Sequence, residues 1–251
     1  DLFGAARLGS ADAAGLDWEG ALDALDERLA EGLDSFARIE LLESKARLQI
    51  QRGDDVSETM AQMWAVCDEL GDPQAIADTT ALEGERAYYE GRPEEALVKL
   101  REATPQMGQN TALGWVSQAI AGTILGDVEA VRAAEEPLRK DPQYNNAMAA
   151  TKELASGCLA ALEGRVSDAV ALFGRSVEHF EAAGWHYWTA FARVLALRTM
   201  PSEPAFEGWA EAARERLEPI GAKPALRLLD ETRSRAQTAS QAPSIEARTR
   251  R

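Results

Sequence analysis

Apolar residues recur along most of the chain at three- and four-residue steps, the period of an α-helix that buries one face. Over Asp17–Leu33 the set Ala21, Leu22, Leu25, Leu29 and Leu33 makes one stripe, while Asp23, Asp26, Glu27 and Glu31 fall largely opposite it. The stripe resumes with Phe36, Ile39, Leu42, Ala46 and Ile50 and stops before Gly53. Alternating runs of Val, Ile and Thr bounded by Asn-Gly or Asp-Gly, which mark strands and hairpins, do not occur. The pattern predicts about thirteen helices in roughly six pairs. The last pair is read as Tyr187–Thr199 with Glu203–Glu218, broken by Pro201 and Pro204, before a terminal helix near Lys223–Arg235.

The pairs repeat. The segment Tyr88–Leu97 superposes without gaps on Ala161–Val170, Gly91 on Gly164 and Ala96 on Ala169. Turn glycines Gly15, Gly53, Gly91, Gly126 and Gly164 follow one another at 38, 38, 35 and 38 residues. A helix that ends and reverses at once needs a residue at positive φ, which glycine takes without a Cβ clash. The Asp, Ser or Pro that follows then opens the next helix. Small residues on both sides of the turn, Ala46, Gly84, Ala119 and Gly157 before it and Ala96 and Ala169 after it, let paired helices lie close. One pair cannot bury its apolar face alone, so pairs are expected to stack into an all-α solenoid with a continuous core. This single repeat domain is drawn over residues 1–235, and 236–251 is read as a weakly ordered tail with a basic end.

Charge narrows the function. The chain of 251 residues carries 27 Lys+Arg against 42 Asp+Glu, a formal −15, which argues against non-specific binding to nucleic acid or to an anionic membrane surface. Residues from Lys223 onward hold seven basic and three acidic side chains, +4, which leaves −19 on the repeat body and favours a basic partner segment. No apolar run approaches the roughly 18–20 residues of a membrane helix. The stretch behind Asp1 lacks the basic-then-apolar order of a secretory signal. Cys67 and Cys158 are too far apart in sequence for a metal knuckle and read as buried thiols in a reduced cytoplasm.

The repeat resembles the tetratricopeptide motif, a small residue followed by Tyr-x-x-Gly-x-x-x-x-Ala, a large apolar residue and a further Ala. Gly84, Tyr88, Gly91, Ala96, Leu100 and Ala103 match it best; Gly157, Gly164, Ala169 and Phe173 follow, with Ser176 in the last place. The spacing, mostly 38, exceeds the family period of about 34 by roughly one helical turn. Such long, degenerate units look like the C-terminal arrays of bacterial class III adenylate/guanylate cyclases with an ATPase module, and of large LuxR-type ATP-binding regulators. That resemblance implies a non-catalytic protein-interaction or ligand-sensing module regulating linked domains. A chain that begins at Asp1 is compatible with a segment of such a parent.

Candidate chemistry is sparse. Phosphate loop, His-Glu-x-x-His, Cys-x-x-Cys and Gly-x-Ser-x-Gly motifs do not occur, and no cofactor is expected. Only His179 and His186 are available to a histidine site, and Gly184 between them is expected to end the first one's helix. Pairs such as Asp54-Asp55, Glu94-Glu95 and Glu135-Glu136 suit helix starts and polar faces. Trp185-His186-Tyr187-Trp188 is the local oddity, because four consecutive rings about 100° apart cannot all face one core. Together with Trp115, Tyr144, Asn145 and Asn146 from neighbouring first helices, these residues are the candidate lining of a concave groove for a peptide, a helix or a small ligand. Alternatively, the rings fill wide spaces between long repeats. A free-standing scaffold, or an all-helical enzyme centred on Trp185–Trp188, are the competing functions.

Overall fold

A computed structural model describes residues 17–108, 111–140 and 146–241. The chain is all-α, with twelve α-helices among these residues. They are α1 (Trp18–Leu29), α2 (Ser35–Arg52), α3 (Ser57–Leu70), α4 (Pro73–Tyr89), α5 (Pro93–Ala103) and α6 (Thr111–Leu125). There follow α7 (Val128–Lys140), α8 (Asn146–Leu162), α9 (Val166–Ala182), α10 (His186–Thr199), α11 (Trp209–Leu217) and α12 (Lys223–Gln241).

The turn glycines do what their positions require. Gly53, Gly91, Gly126 and Gly164 have φ of 75°, 83°, 80° and 75°. After each, the next residue's N–H donates to a carbonyl five residues back, for instance Asp54 to Gln49 at 2.9 Å and Arg165 to Ala160 at 2.8 Å, which ties off the helix end. Gly15 lies outside the described residues. Asp34 and Asp72 cap the starts of α2 and α4, accepting from Ala37 and Gln74 N–H groups.

The small residues before the turns meet the large ones after them. A Cβ on Gly84 would stand 2.7 Å from Leu100 Cγ, and one on Gly157 would stand 3.2 Å from Phe173 Cδ1. Ala96 and Ala169 are fully buried in the same seams, and Ser176, where the repeat pattern would have Ala, donates to Ala150 O at 2.8 Å. Consecutive helices pack throughout, and α2, α4, α6, α8, α10 and α12 also touch in succession. Beyond this order, α10 reaches α6 and α12 reaches back to α2.

Two boundaries differ from the sequence reading. Glu203–Glu218 is not one helix: a 3-10 turn at Pro204–Phe206 is followed by Gly208 at φ 76°, so α11 starts only at Trp209. The terminal helix runs past Arg235 to Gln241, through Ala236, Gln237 and Ala239, which are good helix formers. Ser234 and Thr238 hydroxyls donate to the carbonyls four residues earlier, at 2.9 Å each. Among the described residues no helix is long and apolar enough to cross a membrane.

Candidate functional site

The four-ring segment divides as its helical spacing demands. Trp185 precedes α10 and stacks on Phe180 of α9 at 6.0 Å; His186 is exposed. Tyr187 is wholly buried, and its hydroxyl hydrogen-bonds the Tyr89 hydroxyl at the end of α4. Its ring lies 5.6 Å from Trp18 of α1 and 5.6 Å from Phe191. Trp188 is half-buried, 6.0 Å from Phe180. Trp115 is half-buried against the core. Tyr144 and Asn145 lie outside the described residues, and Asn146 opens α8 without a described side chain. Tyr187 thus joins α1, α4 and α10 in an aromatic interior with Trp18, Tyr89 and Phe191, and its buried ring lines no open groove.

Next to this interior stands a buried polar group. Glu85 of α4 accepts from Ser117 Oγ at 2.9 Å and faces Arg47 Nε at 3.7 Å, while Arg47 also pairs with Glu43 at 3.0 Å. Burial pushes the Glu85 carboxyl up from its ordinary range, against the pull of Arg47 and the Ser117 hydrogen bond. Burial likewise drives Tyr88 well above its usual value. His179 bonds Glu153 at 2.7 Å through Nδ1, beside Arg175 on the same carboxylate at 2.7 Å. His179 and His186 do not share a helix, since α9 ends at Ala182 and Gly184 turns at φ 74°. Both cysteines are buried free thiols, and burial lifts Cys158 to about 12.

Exposed large apolar side chains occur at six described positions, with Val98, Leu125 and Val166 scattered over α5, α6 and α9 and the other three in corresponding first turns. Phe36, Ile76 and Leu113 are 60%, 41% and 39% exposed, each in the first turn of α2, α4 or α6. Those first turns share one rim. Ser35 of α2 bonds Glu69 near the end of α3, which leads directly into α4, at 2.6 Å. A Cβ on Gly108, just before α6, would meet Gln74 of α4 at 2.6 Å. A cleft of about 320 Å3 opens between α1, α2 and α3, with Leu29, Leu42, Ala65 and Val66 in its walls. Nothing in the sequence singled out this rim: Phe36 belongs to the same stripe as buried Ile39 and Leu42, but the stripe begins a turn before the packed surface does.

No protein-family model matches the chain, and neither curated proteins nor solved structures give a match. The functional reading therefore rests on the residues themselves. Among those described, no three His, Cys, Asp or Glu side chains converge as a metal ion would require.

Proposed function

We propose that this chain is a non-catalytic protein-interaction module, a tetratricopeptide-like stack of helix pairs that regulates domains linked to it in a larger signalling or transcription protein. The observation that carries the reading is the rim of Phe36, Ile76 and Leu113, large apolar side chains held out from three successive first helices. Full burial of a side chain of this size is worth about 1.5–3 kcal/mol, and a partner gains the share of it that the exposed 39–60% represents. The acidic surface, −15 over the whole chain, favours a partner whose apolar anchors are flanked by Lys or Arg. Occupancy regulates only if the partner binds one arrangement of the helix pairs better than another.

The test is quantitative affinity capture from the native organism with the wild-type chain and with the Phe36→Ser, Ile76→Ser, Leu113→Ser triple variant. The specific partner is expected to be lost by roughly ten-fold or more in the variant and to be released by added salt, with thermal stability unchanged. An identical captured set would overturn the rim. An immunoblot separates the cis-regulator from a free-standing scaffold: a band near 27.2 kDa favours the scaffold, and a much larger one the regulator.

A further inference from the structure

The last turns of α4, α6 and α10 meet α12 around a cleft of about 370 Å3, at the low end of the range typical of small-molecule sites. Its walls include Tyr88, Leu125, Pro224 and Leu228. Its charged groups are Arg198, Arg227 and Arg235 against Glu94 and Glu231, a local excess of one positive charge in a chain of formal −15.

Two of these arginines close helix ends. Arg198 Nη2 donates to Ile124 O at 2.8 Å, and Arg227 Nη2 donates to Tyr89 O. The carbonyl ends of α6 and α4, which would otherwise repel an anion, are thereby partly neutralised. What remains unsatisfied is Arg198 itself, whose Nη1 is buried without a hydrogen-bond partner. Burial and the like charge of Arg235 both disfavour its charged form, and Glu231 alone opposes them.

We propose that this cleft binds a small carboxylate with an apolar body, its carboxylate held by Arg198 and Arg235 and its body laid against Leu125, Pro224 and Leu228. A carboxylate supplies two acceptor oxygens to the planar guanidinium fork, and a small rotation of the Arg198 guanidinium brings Nη1 to it. The single excess charge matches a monoanion, and Glu94 and Glu231 discriminate against a more highly charged group. Because Arg198 belongs to α10 and Arg235 to α12, an occupied cleft also holds α12 in place. The site is independent of the apolar rim, which lies at the opposite ends of α4 and α6.

The experiment is an NMR titration of the whole chain with sodium phenylacetate, following arginine Nε–Hε signals, with sodium phosphate and sodium chloride at matched ionic strength as comparison arms. Phenylacetate is expected to move the Arg198 and Arg235 signals saturably, and phosphate no more than chloride. Arg235→Gln, at an exposed position, is expected to weaken phenylacetate roughly ten-fold with its melting temperature unchanged, and the rim triple variant is expected to bind normally. Linear, unsaturable shifts, or shifts unaffected by Arg235→Gln, would overturn the site. Saturation by phosphate and not by phenylacetate would overturn the carboxylate assignment.

Discussion

Glu85 shows how a single residue can work against the fold that contains it. Its carboxyl is removed from water, and its one nearby cation, Arg47, is shared with Glu43. The native state therefore binds the Glu85 proton more tightly than the unfolded chain does, for which 4.5 is the usual value. Below that value the acid is neutral in both states and costs nothing. As pH rises from 4.5 towards the raised native value, the unfolded chain ionises first and stability falls, by up to about 1.4 kcal/mol per pH unit, and the loss levels off once the native state ionises too. Glu85→Gln replaces the acid with a permanently neutral group that can still accept from Ser117. The melting temperature of Glu85→Gln minus that of the wild type is expected to be larger at about pH 7 than at about pH 4, with the growth beginning above 4.5. A difference that stays flat across that range would mean that Glu85 is as well solvated as a surface acid. The sequence offered Glu85 no distinction from the many other acids; its burial depends on Ser117 and Arg47 arriving from two other helices.

Between helices, two glycines give opposite expectations from the same substitution. Gly84 lies inside α4, where a Cβ would stand 2.7 Å from Leu100 Cγ and 3.3 Å from Ala96 O on α5. Gly174 lies inside α9, where a Cβ would meet nothing within 4 Å. An alanine gains about 0.5–1 kcal/mol over glycine in a helix interior by restricting the unfolded chain. Gly174→Ala should show that gain, whereas Gly84→Ala should lose about 1–3 kcal/mol by overpacking against the leucine and the backbone behind it. Urea denaturation of both variants checks the pair, and equal effects would mean that the α4–α5 seam relaxes freely. This level of the structure was legible in advance, since the small residue, the turn glycine and the large apolar residue follow one another at fixed spacing. The exceptions were the shortened α11, which Gly208 at positive φ precedes, and α12, which continues past Arg235 to Gln241.

For the whole molecule, contacts between distant parts of the chain matter most. In a purely linear array each helix pair would touch only its neighbours, and stability would be a sum of local terms. Here Tyr89 and Tyr187 bond across 98 positions, Arg198 caps α6 across 74, and Lys223 pairs with Asp54 across 169 at 3.4 Å. Tyr187→Ala empties the centre of that closure and should cost about 3–5 kcal/mol, as large aromatic truncations do. It should also turn a single urea transition into two, with the α1–α5 and α8–α12 portions unfolding separately. Far-UV circular dichroism together with tryptophan fluorescence would detect the split. A single transition shifted to lower urea would show that neighbour contacts alone make the molecule cooperative.

Periodicity and punctuation were enough to establish an all-α chain, the positions of its turns and the seams within its helix pairs, because those features depend on residues within about one repeat length of one another. Which side chains face water was decided by the tertiary structure. Phe36 and Ile39 share a stripe, yet only Ile39 is covered; Tyr187 and His186 are adjacent, yet one is sealed and the other exposed. Arg198 and Arg235 are ordinary cations in the sequence, and only the approach of α12 to the ends of α6 and α10 makes them face one cleft. Exposure depends on which distant surfaces arrive, and a local repeat pattern carries no record of that.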